Sequence, residues 1–373
     1  NPARAASVLL VDYSCALKLS TPLAVLAAMK EGVGRGVLVK GGRFLESLAA
    51  ADAVVFDKTG TLTESRPRVA EVIPGEGYER DDILRTAACL EEHFPHPVAR
   101  AVVRKAEQEG LHHQEEHTEV EYVVAHGIAS RLHGKRVLFG SRHYIHHDEG
   151  VPVDGMREDI ERLAREGRSI LYLAVDGKLA GLIAIEDPLR PEAAPVIRKL
   201  LGRGIRVVML TGDDERTAAA VAERLGISEY RSQVLPTDKA EVIRSLQAEG
   251  HTVAMLGDGI NDSPALSAAD VGVTLSDGAD LAREVADVVL TECRLDGLVT
   301  AVDLSKAAMR RIRTDFGLIM TLNTVFLASG LAGFLQPGPS ALLHNLTTVG
   351  VSLNAMRPML KAGAEPQLEE VSA

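Results

Sequence analysis

The short apolar run Ala53–Phe56 stops at Asp57 and turns at once into Lys58-Thr59-Gly60-Thr61-Leu62-Thr63. The same form recurs twice: Val207–Leu210 leads into Thr211-Gly212-Asp213, and Val253–Leu256 leads into Gly257-Asp258-Gly259. Helix-like stretches, Glu192–Leu201 and Glu215–Leu225, lie between them. Apolar strands alternating with helices predict an α/β fold with a parallel sheet, whose functional residues gather at the carboxyl ends of the strands.

The interval from Glu64 to about Lys178 differs in composition. It is rich in His and Glu and carries paired strand-like runs at Val120–Ala125 and Arg136–Phe139. We read it as a second domain inserted into the first.

Three further segments are apolar. Ala5–Met29 is largely Ala, Val and Leu, interrupted by Asp12, Lys18 and Pro22. Phe316–Leu335 is uncharged and matches the roughly 20 residues that a membrane-spanning helix needs. Ser340–Leu353 follows a Pro337-Gly338-Pro339 turn and is bounded by Arg357. The last two predict a helical hairpin in a membrane, approached from the cytoplasm because Arg310, Arg311 and Arg313 stand just before it.

Composition narrows the function classes. Aromatic residues make up 3% of the 373, Trp is absent, and the formal net charge is −11. Stacking platforms and a polyanionic partner are both disfavoured, so no nucleic acid is expected. Cys15, Cys89 and Cys293 are far apart and predict neither a disulfide framework nor a zinc cluster. No signal peptide is visible, and the residues from Asn1 lead straight into an apolar run, as expected of a chain cut from a longer one.

An aspartate at a strand end can attack the γ-phosphorus of a nucleotide and form an acyl phosphate. Gly60 permits a tight bend whose N–H and hydroxyl groups receive phosphate oxygens. Thr211 offers a hydroxyl, Lys239 in Pro236-Thr237-Asp238-Lys239 a fixed cation, and Gly257-Asp258-Gly259-Ile260-Asn261-Asp262 further carboxylates. Asp57 with Asp258 makes a hard, all-oxygen set suited to Mg²⁺.

These motifs resemble the phosphorylation domain of P-type ATPases, which has a haloacid dehalogenase-like fold. The likeness runs from about Asp12 to the last apolar segment. It implies ATP and Mg²⁺ as cofactors, with Asp57 phosphorylated. Thr59 and Asp258 would help to hold Mg²⁺, Thr211 and Lys239 would contact the phosphoryl group, and Gly212, Asp213, Asn261 and Asp262 would order the site. It also implies a division into membrane helix (1–30), phosphorylation domain (31–63 and 179–308), inserted nucleotide-binding domain (64–178) and two membrane helices (312–336 and 339–358). The protein is then expected in a cell membrane, multi-pass, with catalytic domains in the cytoplasm and lipid around the helices.

His96-Pro97 resembles the His-Pro motif of the heavy-metal-transporting branch, where the histidine supports the adenine pocket. Phe94-Pro95 stands where that branch has Ser-Glu, and Ala125-His126-Gly127 where it has Gly-x-Gly. Gly127 and Gly140 are candidates for close approach to ATP. His112, His113, His117, His143, His146 and His147 have irregular spacing and are read as solvated surface rather than as a metal patch. Asp12-Tyr13-Ser14-Cys15 through Pro22, followed by Lys40-Gly41-Gly42, resembles the branch's ion-site region, with Tyr13-Ser14-Cys15 in place of Cys-Pro-Cys. One thiolate in place of two moves preference from soft Cu(I) toward borderline or harder divalent ions. Asn323, His344, Asn345, Thr347 and Thr348 are possible co-ligands or helix–helix hydrogen bonders. Cys15 with His344 suggests Mn²⁺, Zn²⁺ or Co²⁺.

The family's Thr-Gly-Glu actuator loop and earlier membrane helices have no counterpart in this chain and are expected from the parent protein. A soluble phosphatase of the same fold is the main rival. Such enzymes place a second Asp two residues after the nucleophile; here Thr59 stands there, so a phosphoaspartate should persist. A non-catalytic nucleotide-binding subunit would not need Asp57, Lys239 and Asp258 together. A P-type pump for a non-transition-metal cation would carry the same cytoplasmic motifs and is a further alternative.

Overall fold

The computed structural model describes residues 5–6, 9–64, 66–92, 97–111, 121–123 (backbone alone), 127–257 and 262–360. The chain forms two compact units. One comprises Asn1–Ala53, Ile243–Met255 and Ala265–Ala373; the other comprises Val54–Val242 and Leu256–Pro264.

In the second unit the strands Ala53–Asp57, Arg206–Leu210 and Glu229–Arg231 lie side by side in that order. Glu229–Arg231 runs parallel to Arg206–Leu210, and the helix Glu215–Leu225 makes the crossover. Asp214 starts that helix by accepting from the N–H groups of Arg216 and Thr217, and Gly226 ends it at φ 74°. The helix Ala193–Leu201 precedes Arg206–Leu210.

The same unit holds an antiparallel six-stranded sheet. Its order is Arg68–Pro74, Lys178–Glu186, Ser169–Val175, Lys135–Gly140, Gly127–Leu132, Glu121–Val123. The strand from Lys178 to Glu186 therefore belongs to the inserted sheet, eight residues beyond the boundary expected at 178. Two of its hairpins turn on residue pairs with positive φ, His133-Gly134 and Asp176-Gly177. Such turns match the right-handed twist of the flanking strands. Side chains alternate between faces. Val137, Phe139, Leu173, Ile183 and Ile185 pack in one core with Ile83, Leu84 and Val102 of the helices Arg80–Glu91 and Pro97–Gln108. Leu138, Tyr172, Leu182 and Ala184 pack in another with Ile160 and Leu163 of the helix Arg157–Arg165.

In the first unit the strands Val37–Val39, Val288–Leu290, Val271–Leu275 and Val253–Leu256 are neighbours in that order. Three long helices accompany them: Ser14–Val33, Asp296–Ala332 and Pro337–Ala355. Ser14–Val33 continues through Pro22. A proline in such a helix is tolerated where neighbours re-satisfy the freed carbonyl. Its buried residues, Ala16, Ser20, Ala24, Ala28 and Gly32, recur every fourth position and form a small-residue stripe. A Cβ on Gly32 would lie 2.9 Å from the Val37 carbonyl oxygen, so the helix end approaches that strand closely. Most of the apolar segment Phe316–Leu335 is the last part of one 37-residue helix, Asp296–Ala332, capped by Gly333 at φ 88°. The expected Pro337-Gly338-Pro339 turn is instead the first turn of the last helix, where proline costs no hydrogen bond.

These helices are apolar outside and polar inside. Leu19, Leu26, Phe316, Val325, Leu342, Leu346 and Leu353 are exposed, while Ser20, Asp315, Asn323, Ser340 and His344 are buried. That inversion fits a hydrocarbon solvent. Among the described residues, Asp296–Ala332 is the one helix long and apolar enough to cross a membrane by length and composition.

Candidate active site

Asp57 is the last residue of a wholly buried strand, and its own side chain is 8% exposed. Lys239 begins the helix Lys239–Ala248. Its Nζ donates to Asp57 Oδ1 at 2.7 Å and to Asp262 Oδ1 at 2.6 Å. Burial pulls against the ammonium charge, but the two carboxylates outweigh it, and Lys239 is held protonated above the usual lysine range. One cation thus ties Asp57 to an acid from the third strand-end turn.

The loop after Asp57 is shaped by glycine and clamped from one side. Gly60 has φ 78°, a left-handed conformation that a Cβ disfavours. Its N–H donates to Thr63 Oγ1 at 2.8 Å, and Thr63 Oγ1 donates to Asp187 Oδ2 at 2.5 Å. Arg190 Nε donates to the Thr63 carbonyl at 3.0 Å and Nη2 to the Gly60 carbonyl at 3.3 Å. Backbone bonds from Arg190 N to Leu62 O and from Glu64 N to Pro188 O complete the clamp. Burial lifts the Asp187 carboxyl above its ordinary range, despite the Thr63 hydrogen bond and the nearby Lys58 charge. The sequence reading did not single out Asp187 or Arg190. An Asp-Pro pair closing an apolar run was the available signal.

Beside this lies a second ion pair, Lys58 with Asp213. Asp213 also accepts from Ser169 Oγ at 2.6 Å and Thr211 Oγ1 at 2.9 Å. Burial works against both charges. The attraction of Asp213 holds Lys58 protonated, and Lys58 with the two hydroxyls keeps Asp213 ionised below the usual carboxylate range. Thr211 is fully enclosed, whereas Thr59 and Gly212 are exposed. Lys58 and Ser169 are further residues that the sequence reading missed.

Asp258, Asn261 and His96 lie outside the described residues, as do His112, His113 and His117. Gly127 and Gly140 face each other across an antiparallel pair. A Cβ on Gly127 would sit 2.4 Å from the Phe139 carbonyl oxygen and 2.6 Å from the Tyr144 ring. Packing within the sheet therefore demands that glycine whether or not a ligand approaches. His146 Nδ1 contacts the Val151 carbonyl at 2.9 Å, and His143 Nε2 lies 3.4 Å from Asp148.

In the helical part, Asp12 accepts from Ser14 N, Ser14 Oγ and Cys15 Sγ at 2.8, 2.7 and 3.0 Å. Asn323 Nδ2 donates to the Asp12 carbonyl at 3.2 Å, and His344 Nδ1 lies 3.4 Å from Asn323 Oδ1. Asp12, Cys15, Asn323 and His344 are thus linked in one chain of contacts. Asn345 is exposed, and Thr347 and Thr348 donate to carbonyls of their own helix. Lys40 Nζ donates to the carbonyls of Arg283 and Glu284 at a helix end. Among the described residues, no three His, Cys, Asp or Glu side chains are grouped to hold a metal ion.

A buried carboxylate at a strand end, bridged by lysine to a second acid, points to the class. The profile of the haloacid dehalogenase-like hydrolases matches residues 51–270, and the chain belongs to that family. Within it, the chain corresponds to the C-terminal catalytic portion of heavy-metal P-type ATPases. It is 43% identical over 357 residues to a zinc-exporting P-type ATPase of Mycobacterium marinum, covering 95% of this chain and 49% of that one. It is 42% identical to a manganese-exporting P-type ATPase of Mycobacterium bovis, covering 95% and 50%. The crystal structure of a zinc-transporting PIB-type ATPase in the E2.Pi state superposes with a TM-score of 0.68 at 36% identity, covering 93% of this chain and 56% of that one. The chain spans about half the length of the curated relatives it matches. Its fold is a haloacid dehalogenase-like phosphorylation domain with an inserted nucleotide-binding domain and long C-terminal helices.

Proposed function

We propose that the full-length protein containing this chain exports a divalent transition-metal cation, driven by ATP through an aspartyl phosphate on Asp57. The observation that carries this reading is the Lys239 bridge between Asp57 and Asp262. A phosphatase also needs a nucleophile and a cation, but exposed Thr59 stands where its general acid would be.

In this reading an Asp57 carboxylate oxygen attacks the γ-phosphorus of ATP, the bond to the bridging oxygen breaks, and ADP departs. Lys239 moves its charge from the free carboxylate to the growing phosphoryl charge without leaving its place. Thr211 and Thr61 supply hydroxyls; Thr61 Oγ1 is buried with no partner among the described residues, as a phosphate-binding donor would be before its ligand arrives. Carboxylates and hydroxyls are hard donors that fit Mg²⁺, and Asp57, Thr59 and Asp258 would hold it. When bound, Mg²⁺ supplies positive charge against the transferring phosphoryl group. The domain division set out above, with nucleotide at 64–178 near His96, Gly127 and Gly140, is part of this proposal, as are Gly212, Asp213 and Asn261 as ordering residues.

Cys15, Asn323 and His344 are proposed to face the cation. A single thiol with imidazole and amide favours Zn²⁺, Mn²⁺ or Co²⁺; the names of the two relatives support zinc or manganese. The exposed apolar residues of the long helices support a multi-pass membrane protein, with the catalytic part in the cytoplasm. The rest of the parent chain would supply the actuator and the remaining helices.

The test is acid-stable labelling of the full-length protein from terminally labelled ATP across a panel of metals. Labelling that requires one divalent transition metal, is released by hydroxylamine and vanishes in Asp57→Asn is expected. Labelling indifferent to those metals refutes the export reading, and none under any condition refutes the phosphoenzyme.

A further inference from the structure

Asp315 is an acidic residue within the long helix Asp296–Ala332 and is 3% exposed. Its Oδ1 accepts from Asn354 Nδ2 at 2.7 Å, across to the last helix. Its Oδ2 is buried with no partner among the described residues. A carboxylate oxygen enclosed without a donor is costly, the more so among helices whose outer faces are apolar. Arg311, one turn away, does not compensate it: its guanidinium donates to the carbonyls of Asn354 and Pro358.

The position of Asp315 relative to the Asp12–Asn323–His344 contacts is informative. Asp315, Ile319 and Asn323 follow each other at four-residue steps, so they share one helix face. Ile319 packs with Ala16 and Val351 in a small apolar cluster. Beyond that cluster, Asn323, His344 and Asp12 form the polar layer already described. On the near side stand Asp315 and Asn354, with Ser20 buried one turn after Ala16. Eight residues of helix separate Asp315 from Asn323, about 12 Å. The bundle interior therefore alternates polar, apolar and polar, with the near polar layer at the end carrying Arg310, Arg311 and Arg313.

We propose that Asp315, with Asn354 and Ser20, forms a second cation site, an oxygen-lined station at the arginine end through which the divalent ion passes before it crosses the apolar cluster. Asp315 Oδ2 supplies the anionic ligand, while the Asn354 amide and the Ser20 hydroxyl supply neutral oxygens. Such a donor set takes hard or borderline divalent ions and has no thiolate to trap them. The inference rests on the transport reading above.

The experiment uses the full-length protein in detergent, with Zn²⁺ and Mn²⁺ as probes, and the variant Asp315→Asn, which keeps an acceptor for Asn354 and removes the charge. Expected is the loss of one bound ion per chain, with about a tenfold rise in the metal concentration for half-maximal labelling from ATP. Labelling of Asp57 from inorganic phosphate, which needs no transported ion, stays at the wild-type level and excludes misfolding. Unchanged ion count and metal dependence overturn the inference. If Asp315→Asn fails to fold, Asn354→Asp replaces it: added charge at the same place should lower the metal requirement, and no change overturns the inference equally. Wild-type protein that never labels refutes the transport reading instead.

Discussion

Lys239 and Asp57 stand 182 residues apart in sequence and 2.7 Å apart in space, and Asp262 shares the same ammonium. Three charges enclosed this way are stabilised only as a set. Removing the cation in Lys239→Met leaves two buried carboxylates facing each other. We expect a loss of about 3–5 kcal/mol in denaturant unfolding, and partial recovery when Asp262→Asn is added. Additive losses in the double variant would show that the charges are not coupled.

Gly60 at φ 78° receives and gives hydrogen bonds in the same turn. Gly60→Ala should cost about 1–2 kcal/mol from the left-handed backbone alone. The labelling rate should fall further than stability does, because the loop that follows Asp57 carries the buried Thr61 hydroxyl. Equal stability of variant and wild type by calorimetry would count against the described turn.

Burial lifts the Glu91 carboxyl from 4.5 to about 7. The folded state thus prefers the protonated acid more than the unfolded chain does. The favourable contribution is complete below about pH 4.5 and is lost as the pH rises through about 7, up to about 3 kcal/mol. Glu91→Gln should flatten that part of the stability–pH curve measured by urea unfolding. A curve of unchanged slope would place Glu91 in solvent.

At Gly127 an added methyl meets backbone at 2.4 Å. Gly127→Ala should destabilise the six-stranded sheet by at least about 1–3 kcal/mol, seen as a lowered midpoint in thermal unfolding. Saturating ATP should not restore it, since the clash lies within the sheet.

The parts of the site that follow from local sequence were legible. A strand ending in Asp57, a turn at Thr211 and a lysine ahead of a helix each carry a short-range signature, and the structure joins Asp57, Lys239 and Asp262 as those signatures suggest. Residues acting across long sequence distances were not. Ser169 reaches Asp213 from a strand of the inserted sheet, and Arg190 holds the Gly60 loop from the chain's return out of it. Nothing in their immediate neighbours marks those pairings. Hydropathy found the apolar helices but not their ends. It saw where Asp296–Ala332 becomes greasy, at Phe316, not where the helix begins, because its first turns are amphipathic.

The clamp on the Asp57 loop has a consequence for modularity. The chain leaves toward the inserted sheet just after Thr63 and comes back at Asp187-Pro188-Leu189, and these crossings are bridged to each other, Thr63 with Leu189. The insertion hangs from a paired ribbon, not from two independent threads. The same pairing makes the junction a natural splice point: a short turn from Glu64 to Asp187 would excise the whole insertion and leave the Asp57 loop gripped as before.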